Sequence, residues 1–102
     1  MEEFTVLEAI VNNQYGIHAR PSSLIAKTCF KYERKVYLSL VDSQSFPPDA
    51  RFDCRSVMDL LTMEASKGAK LNVYVEGTDE AAKQICEQVR DLVSSNFDEA
   101  YK

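Results

Sequence analysis

The spacing of apolar residues along this chain switches back and forth between two periods, and that switching limits the folds open to it. Over residues 5–11, Leu7, Ala9 and Val11 fall on one face of a predicted strand. Residues 12–16 are polar and read as a loop. From Ala19 to about Tyr32 the period is helical: Pro21, Leu24, Ile25, Thr28, Cys29 and Tyr32 lie on one face of an amphipathic helix. Pro21 belongs in the first turn, where its missing N–H costs nothing, which puts His18 at or beside the N-cap. Val36, Leu38 and Leu40 alternate with Tyr37, Ser39 and Val41 in a second strand. Ala50, Phe52 and Cys54 alternate with Arg51 and Asp53 in a short third one. Between them, residues 42–49 include Pro47-Pro48, which no central strand accepts. These two strands therefore form a hairpin with an unusually long connection.

Ser56-Val57-Met58-Asp59 reads as a capping box with Asp in the place of Glu. A short helix to about residue 63 follows, with Val57, Leu60 and Leu61 facing inward. Lys67-Gly68-Ala69-Lys70 is a turn. Leu71, Val73 and Val75 against Asn72, Tyr74 and Glu76 give a clean fourth strand. Thr78 and Asp79 cap a last helix to about residue 95, whose stripe is Ala82, Ile85, Cys86, Val89, Leu92 and Val93. Residues 96–102 have no clear period and are expected to fray. The order β-α-β-β-α-β-α predicts an α+β fold: a two-layer open-faced sandwich, with a four-stranded antiparallel sheet and three helices on one face. With 102 residues, the chain is expected to be one domain, residues 1–102.

Hydrophobic residues make up 45% and charged residues 27%, enough for a real core and one site with its supports. No run approaches the roughly 18 apolar residues of a membrane span. Met1-Glu2-Glu3-Phe4 is acidic, where a secretory signal needs a basic start. The expectation is a cytoplasmic protein with no membrane partner. A net charge of −4 argues against nucleic acid as the main partner. Cys29, Cys54 and Cys86 are odd in number, far apart and without metal-ligand spacing. They are expected to be buried, reduced thiols, with no metal and no cofactor.

The chemistry concentrates at the one histidine, in Gly16-Ile17-His18-Ala19-Arg20-Pro21. Gly16 permits a tight turn into the helix. A helix start presents unpaired N–H groups and the positive end of the dipole to an anion. Arg20 adds a fork suited to phosphate oxygens. Imidazole is a good nucleophile near neutral pH. By spacing alone, His18 could equally be a capping or surface residue, Ser56 simply a cap, Met58 and Leu61 plain core, and Lys27 a solvated charge.

The segment Gly16 to Pro21 resembles the active-site motif of HPr, the histidine-containing phosphocarrier of the phosphoenolpyruvate-dependent sugar phosphotransferase system. Arg55-Ser56-Val57-Met58 resembles that family's regulatory-serine motif. Lys67-Gly68-Ala69, a strand, and Glu76-Gly77-Thr78-Asp79-Glu80 extend the likeness over nearly the whole chain. The resemblance implies that enzyme I phosphorylates His18 on Nδ1 and that an enzyme IIA domain receives the group. Arg20 would steady the phosphoryl group, and Gly16, Ala19 and Pro21 would support the helix start. Ser56 would be the target of an HPr kinase/phosphorylase. Lys27, Val57, Met58 and Leu61 would contact partners. The protein would be a monomeric carrier and not a stand-alone catalyst.

Four features depart from the family's pattern. Tyr15 stands where Asn or Ser is usual. Glu64 replaces a common glycine in the loop after the second helix, where a carboxylate close to His18 would oppose phosphoryl binding. Asp59 replaces another, though an acid in a first helical turn is favourable. The 42–49 connection is longer, but as a hairpin end it should not disturb the site. A competing reading is a regulatory interaction protein, either Ser56-phosphorylated or a nitrogen-branch paralogue, that controls a transcription regulator or an enzyme. An independent enzyme with a histidine nucleophile is a third, for which the chain offers no second catalytic group.

Overall fold

A computed structural model describes residues 3–97. Its elements are β1 (Phe4–Ile10), α1 (Ala19–Cys29), β2 (Val36–Leu40), β3 (Phe52–Asp53), α2 (Val57–Met63), β4 (Lys70–Glu76) and α3 (Glu80–Val93), in the expected order. The strands form one antiparallel sheet in the order β1-β4-β2-β3. β4 is therefore central, and Val73 pairs with Leu7 on one side and Leu38 on the other. Alternation along β4 buries Leu71, Val73 and Val75 and leaves Asn72 and Tyr74 on the opposite face.

The buried face meets Ile25 of α1, Leu60 and Met63 of α2, and Ala82, Cys86, Val89 and Val93 of α3 in one core. Each large side chain fully buried there is worth about 1.5–3 kcal/mol. Cys29, Cys54 and Cys86 are all buried, unbridged thiols. Burial pushes the Cys54 thiol well up, and a hydrogen bond with Cys29 adds to the rise.

α1 ends at Cys29, not near Tyr32, and its inward face is Pro21, Ser22, Ile25, Ala26 and Cys29. Ser22, Ile25, Ala26 and Cys29 follow a helical spacing turned slightly from the predicted stripe, because small residues pack closest where α1 meets its neighbours. Leu24 is thereby turned toward the surface, and Phe30, the C-cap, is exposed. β3 spans only two residues, not the predicted 50–54. In α2 the fully inward pair is Leu60 and Met63, while the expected Val57 and Leu61 are half-buried. A seven-residue helix buries one narrow stripe, and i, i+3 spacing selects this pair. Of the tail expected to fray, Asn96 is exposed and Phe97 is buried, and the remaining residues 98–102 lie outside the described residues. So do the first two residues of the acidic start.

Asp79 caps α3 by accepting the Ala82 N–H, as predicted, and also receives two hydrogen bonds from the Arg34 guanidinium. The hydrogen bond from Arg34 is the main cause that holds the Asp79 carboxyl down at about 2. An acid depressed in the folded state adds stability above its unfolded value, near 3.9. That stability is lost as the pH falls through the folded value. Urea denaturation of the wild-type protein should show stability declining between about pH 4 and about pH 2. Asp79→Asn should flatten this part of the curve, while an unchanged slope would show that the pair contributes nothing.

Candidate functional site: the start of the first helix

The loop before α1 is held by hydrogen bonds within itself and by two distant carbonyls, the first being Ser94 O, which accepts from Asn12 Nδ2 at 2.8 Å. Asn13 Nδ2 donates to the Gly16 carbonyl at 2.6 Å, and the Gly16 N–H reaches back to the Asn13 carbonyl at 3.3 Å. Gly16 has φ +70°, in the left-handed region. Its Cα side faces the 65–66 backbone so closely that a Cβ would strike the Ala65 carbonyl oxygen. Only glycine meets both demands. The Ile17 N–H then donates to Ala65 O at 2.8 Å, and the Ile17 side chain enters the core.

His18 follows as the N-cap of α1 in extended conformation, and its carbonyl accepts the Ser22 N–H at 2.9 Å. Its imidazole makes no capping hydrogen bond to the helix and is half-buried. The capping alternative for this side chain therefore falls away. The first turn leaves the Ala19 and Arg20 N–H groups without an intrahelical partner, Pro21 has none, and no acidic side chain occupies the turn. Arg20 is exposed and, among the described residues, makes no ion pair. His18 thus occupies the N-cap of a helix start with two open backbone donors, the positive end of the dipole and an arginine two residues on, a setting that favours an anion.

Other predicted residues lie nearby or farther off. Ala19 and Pro21 form the first turn itself. Lys27 is exposed in the last turn of α1, some nine residues on, or about 13 Å along the axis. α2 packs against α1. Its N-cap Ser56 accepts the Asp59 N–H at 3.1 Å. The reciprocal half of the capping box is absent, because the Asp59 carboxylate turns instead to the Asp53 N–H at 3.0 Å. Asp is a methylene shorter than Glu, and the Ser56 N–H is already bound to the Asp53 carbonyl. Met58 is 71% exposed.

Glu64 terminates α2 in left-handed conformation, φ +52°, where the commoner glycine would sit without strain. It lines an open cavity of about 200 Å³ together with Asp42, Ser43, Ser45 and Phe46 of the long connection, and Ala65 and Ser66. The 42–49 connection is thus not remote from the site: it meets the same 65–66 segment against which Gly16 packs.

Two site features escape the sequence pattern. One is the Ala65 carbonyl that anchors Ile17, hinted at only by the glycine at position 16. The other is the ring of Tyr15, set edge-to-face against the His18 imidazole with centroids 6.1 Å apart and planes at 85°.

The chain matches the family model described as "PTS HPr component phosphorylation site" over residues 7–95. It is 30% identical to the phosphocarrier protein HPr of Treponema pallidum over 89 residues, covering 87% of this chain and 91% of that one. A multiphosphoryl transfer protein of Salmonella typhimurium is 25% identical over 90% of this chain, which spans only 23% of that longer protein. In fold, HPr from Thermoanaerobacter tengcongensis superposes with a TM-score of 0.73 at 22% identity, covering 93% of this chain and 97% of that one. Sheet, helix start and relatives together define a phosphocarrier protein, not a catalyst in its own right. The chain belongs to the HPr family of the phosphotransferase system.

Proposed function

We propose that His18 accepts a phosphoryl group from phosphorylated enzyme I and passes it to a histidine of a sugar-specific enzyme IIA. It does so as a monomer of one domain in the cytoplasm, with no metal or cofactor. A ring nitrogen of His18 attacks phosphorus, and its N–P bond forms as the donor's N–P bond breaks. The Ala19 and Arg20 N–H groups and the Arg20 guanidinium receive the charge of the transferred group. The observation that carries this reading is an imidazole at the N-cap that does not cap, with an acid-free first turn beside it. Incubation with phosphoenolpyruvate and enzyme I should add one acid-labile phosphoryl group per chain, and a chain that stays unmodified would overturn the reading.

A second role attaches to Ser56, supported by its N-cap hydroxyl and the exposed Met58 two residues on. Phosphorylation there by an HPr kinase would bring close to two negative charges near Asp53 and Asp59, with Arg55 adjacent in sequence. The modified face, with Val57, Met58, Leu61 and Lys27, would turn away acidic phosphotransferase partners and suit a transcription regulator instead. Kinase and ATP should modify the wild type but not Ser56→Ala. The modified protein should accept phosphate at His18 about 5-fold more slowly or worse. Equal rates with and without the Ser56 phosphate would remove the regulatory role.

A further inference from the structure

The phosphoryl-acceptor reading gives His18 a task that depends on the orientation of its ring, and the Tyr15 ring is in contact with it. Tyr15 sits in the turn closed by the Asn13 and Gly16 hydrogen bonds, so its backbone is presented from a fixed loop. The residue is 54% exposed, so burial gives it little reason to be aromatic. It meets the imidazole edge-to-face, at a separation and angle within the range where aromatic pairs attract. His18 does not use its side chain to cap the helix, so capping does not fix the imidazole. A ring standing across one side of it narrows the orientations open to it. The cost of finding the reactive orientation is then met before the phosphoryl donor arrives.

We propose that Tyr15 is a positioning residue for phosphoryl transfer, acting through its ring to hold the His18 imidazole toward the first-turn N–H groups of α1. This rests on His18 being the acceptor. An aromatic contact of this kind corresponds to about 2- to 10-fold in rate. Because the ring and not the hydroxyl does the work, Tyr15→Phe should keep the effect. Tyr15→Leu preserves bulk without a π face and should lose it, as should Tyr15→Ala.

Two measurements test this on the whole protein. The first is the NMR position of the His18 ring protons, which a flanking aromatic ring displaces. The second is phosphorylation by enzyme I at varied donor concentration. The expected result is that Tyr15→Ala and Tyr15→Leu lose the displacement and fall about 2- to 10-fold in kcat with KM unchanged, while Tyr15→Phe retains both. Wild-type kcat in Tyr15→Leu, an equal loss in Tyr15→Phe, or a loss confined to KM would each overturn the positioning role. If the wild type accepts no phosphoryl group at all, the acceptor reading and the transfer role fall together. The ring displacement still reports whether the Tyr15–His18 contact exists.

Discussion

Replacing His18 with alanine is expected to abolish acceptance of a phosphoryl group from enzyme I, leaving no acid-labile phosphate by intact-mass analysis. The loss should be total because the exposed Tyr15 and Ser23 hydroxyls nearby have no base to activate them. Arg20 is a fixed cation, the Ser22 hydroxyl is buried in α1, and the three thiols are sealed in the core. Stability should fall by no more than about 1.5 kcal/mol, since the half-buried imidazole gives up its contact with the Tyr15 ring but does not cap the helix. A folded His18→Ala protein that still takes up phosphate would mean that the acceptor lies elsewhere.

Gly16→Ala should be the most damaging of the small substitutions at the site. The added methyl would meet the Ala65 carbonyl oxygen and lie 2.9 Å from the Ser66 Cα, both backbone atoms that cannot swing aside. Alanine also resists the φ of +70°, at roughly 1–2 kcal/mol before any clash. The combined destabilisation should reach about 3 kcal/mol, a fall in Tm of roughly 10 °C or more. Transfer should fall as well, because relief of the clash separates Ile17 from Ala65 and shifts the helix start. A thermal melt within about 2 °C of wild type would show that the loop has room the geometry denies it.

The sheet was readable because its strands obey a strict rule. Leu71, Val73 and Val75 are buried and their neighbours less so, and the same alternation finds Leu7 and Ala9. The α1 face was harder to read, since Ser22 and Ala26 carry packing that hydrophobicity does not register. β3 was overextended because alternation at positions 50–54 says nothing about whether a partner strand is within reach. At the site, Gly16, His18 and Arg20 were legible from the chemistry a helix start offers and from the family resemblance. The Ala65 anchor, the redirected Asp59 and the ring of Tyr15 against His18 were not. The first two join residues by tertiary or competing hydrogen bonds, and the third depends on a turn that places two rings side by side.

The place of β4 between β1 and β2 has a consequence for how the protein is made. Phe4 finds its strand partner only at Glu76, so the first strand must wait unpaired while nearly three-quarters of the chain is synthesised. Pairings this distant slow folding and favour an all-or-none event late in synthesis. The loop that presents His18 is bound by the same delay, since Ile17 has no anchor until Ala65 arrives. A ribosome-bound fragment thus carries the histidine without the geometry that the closed fold gives it.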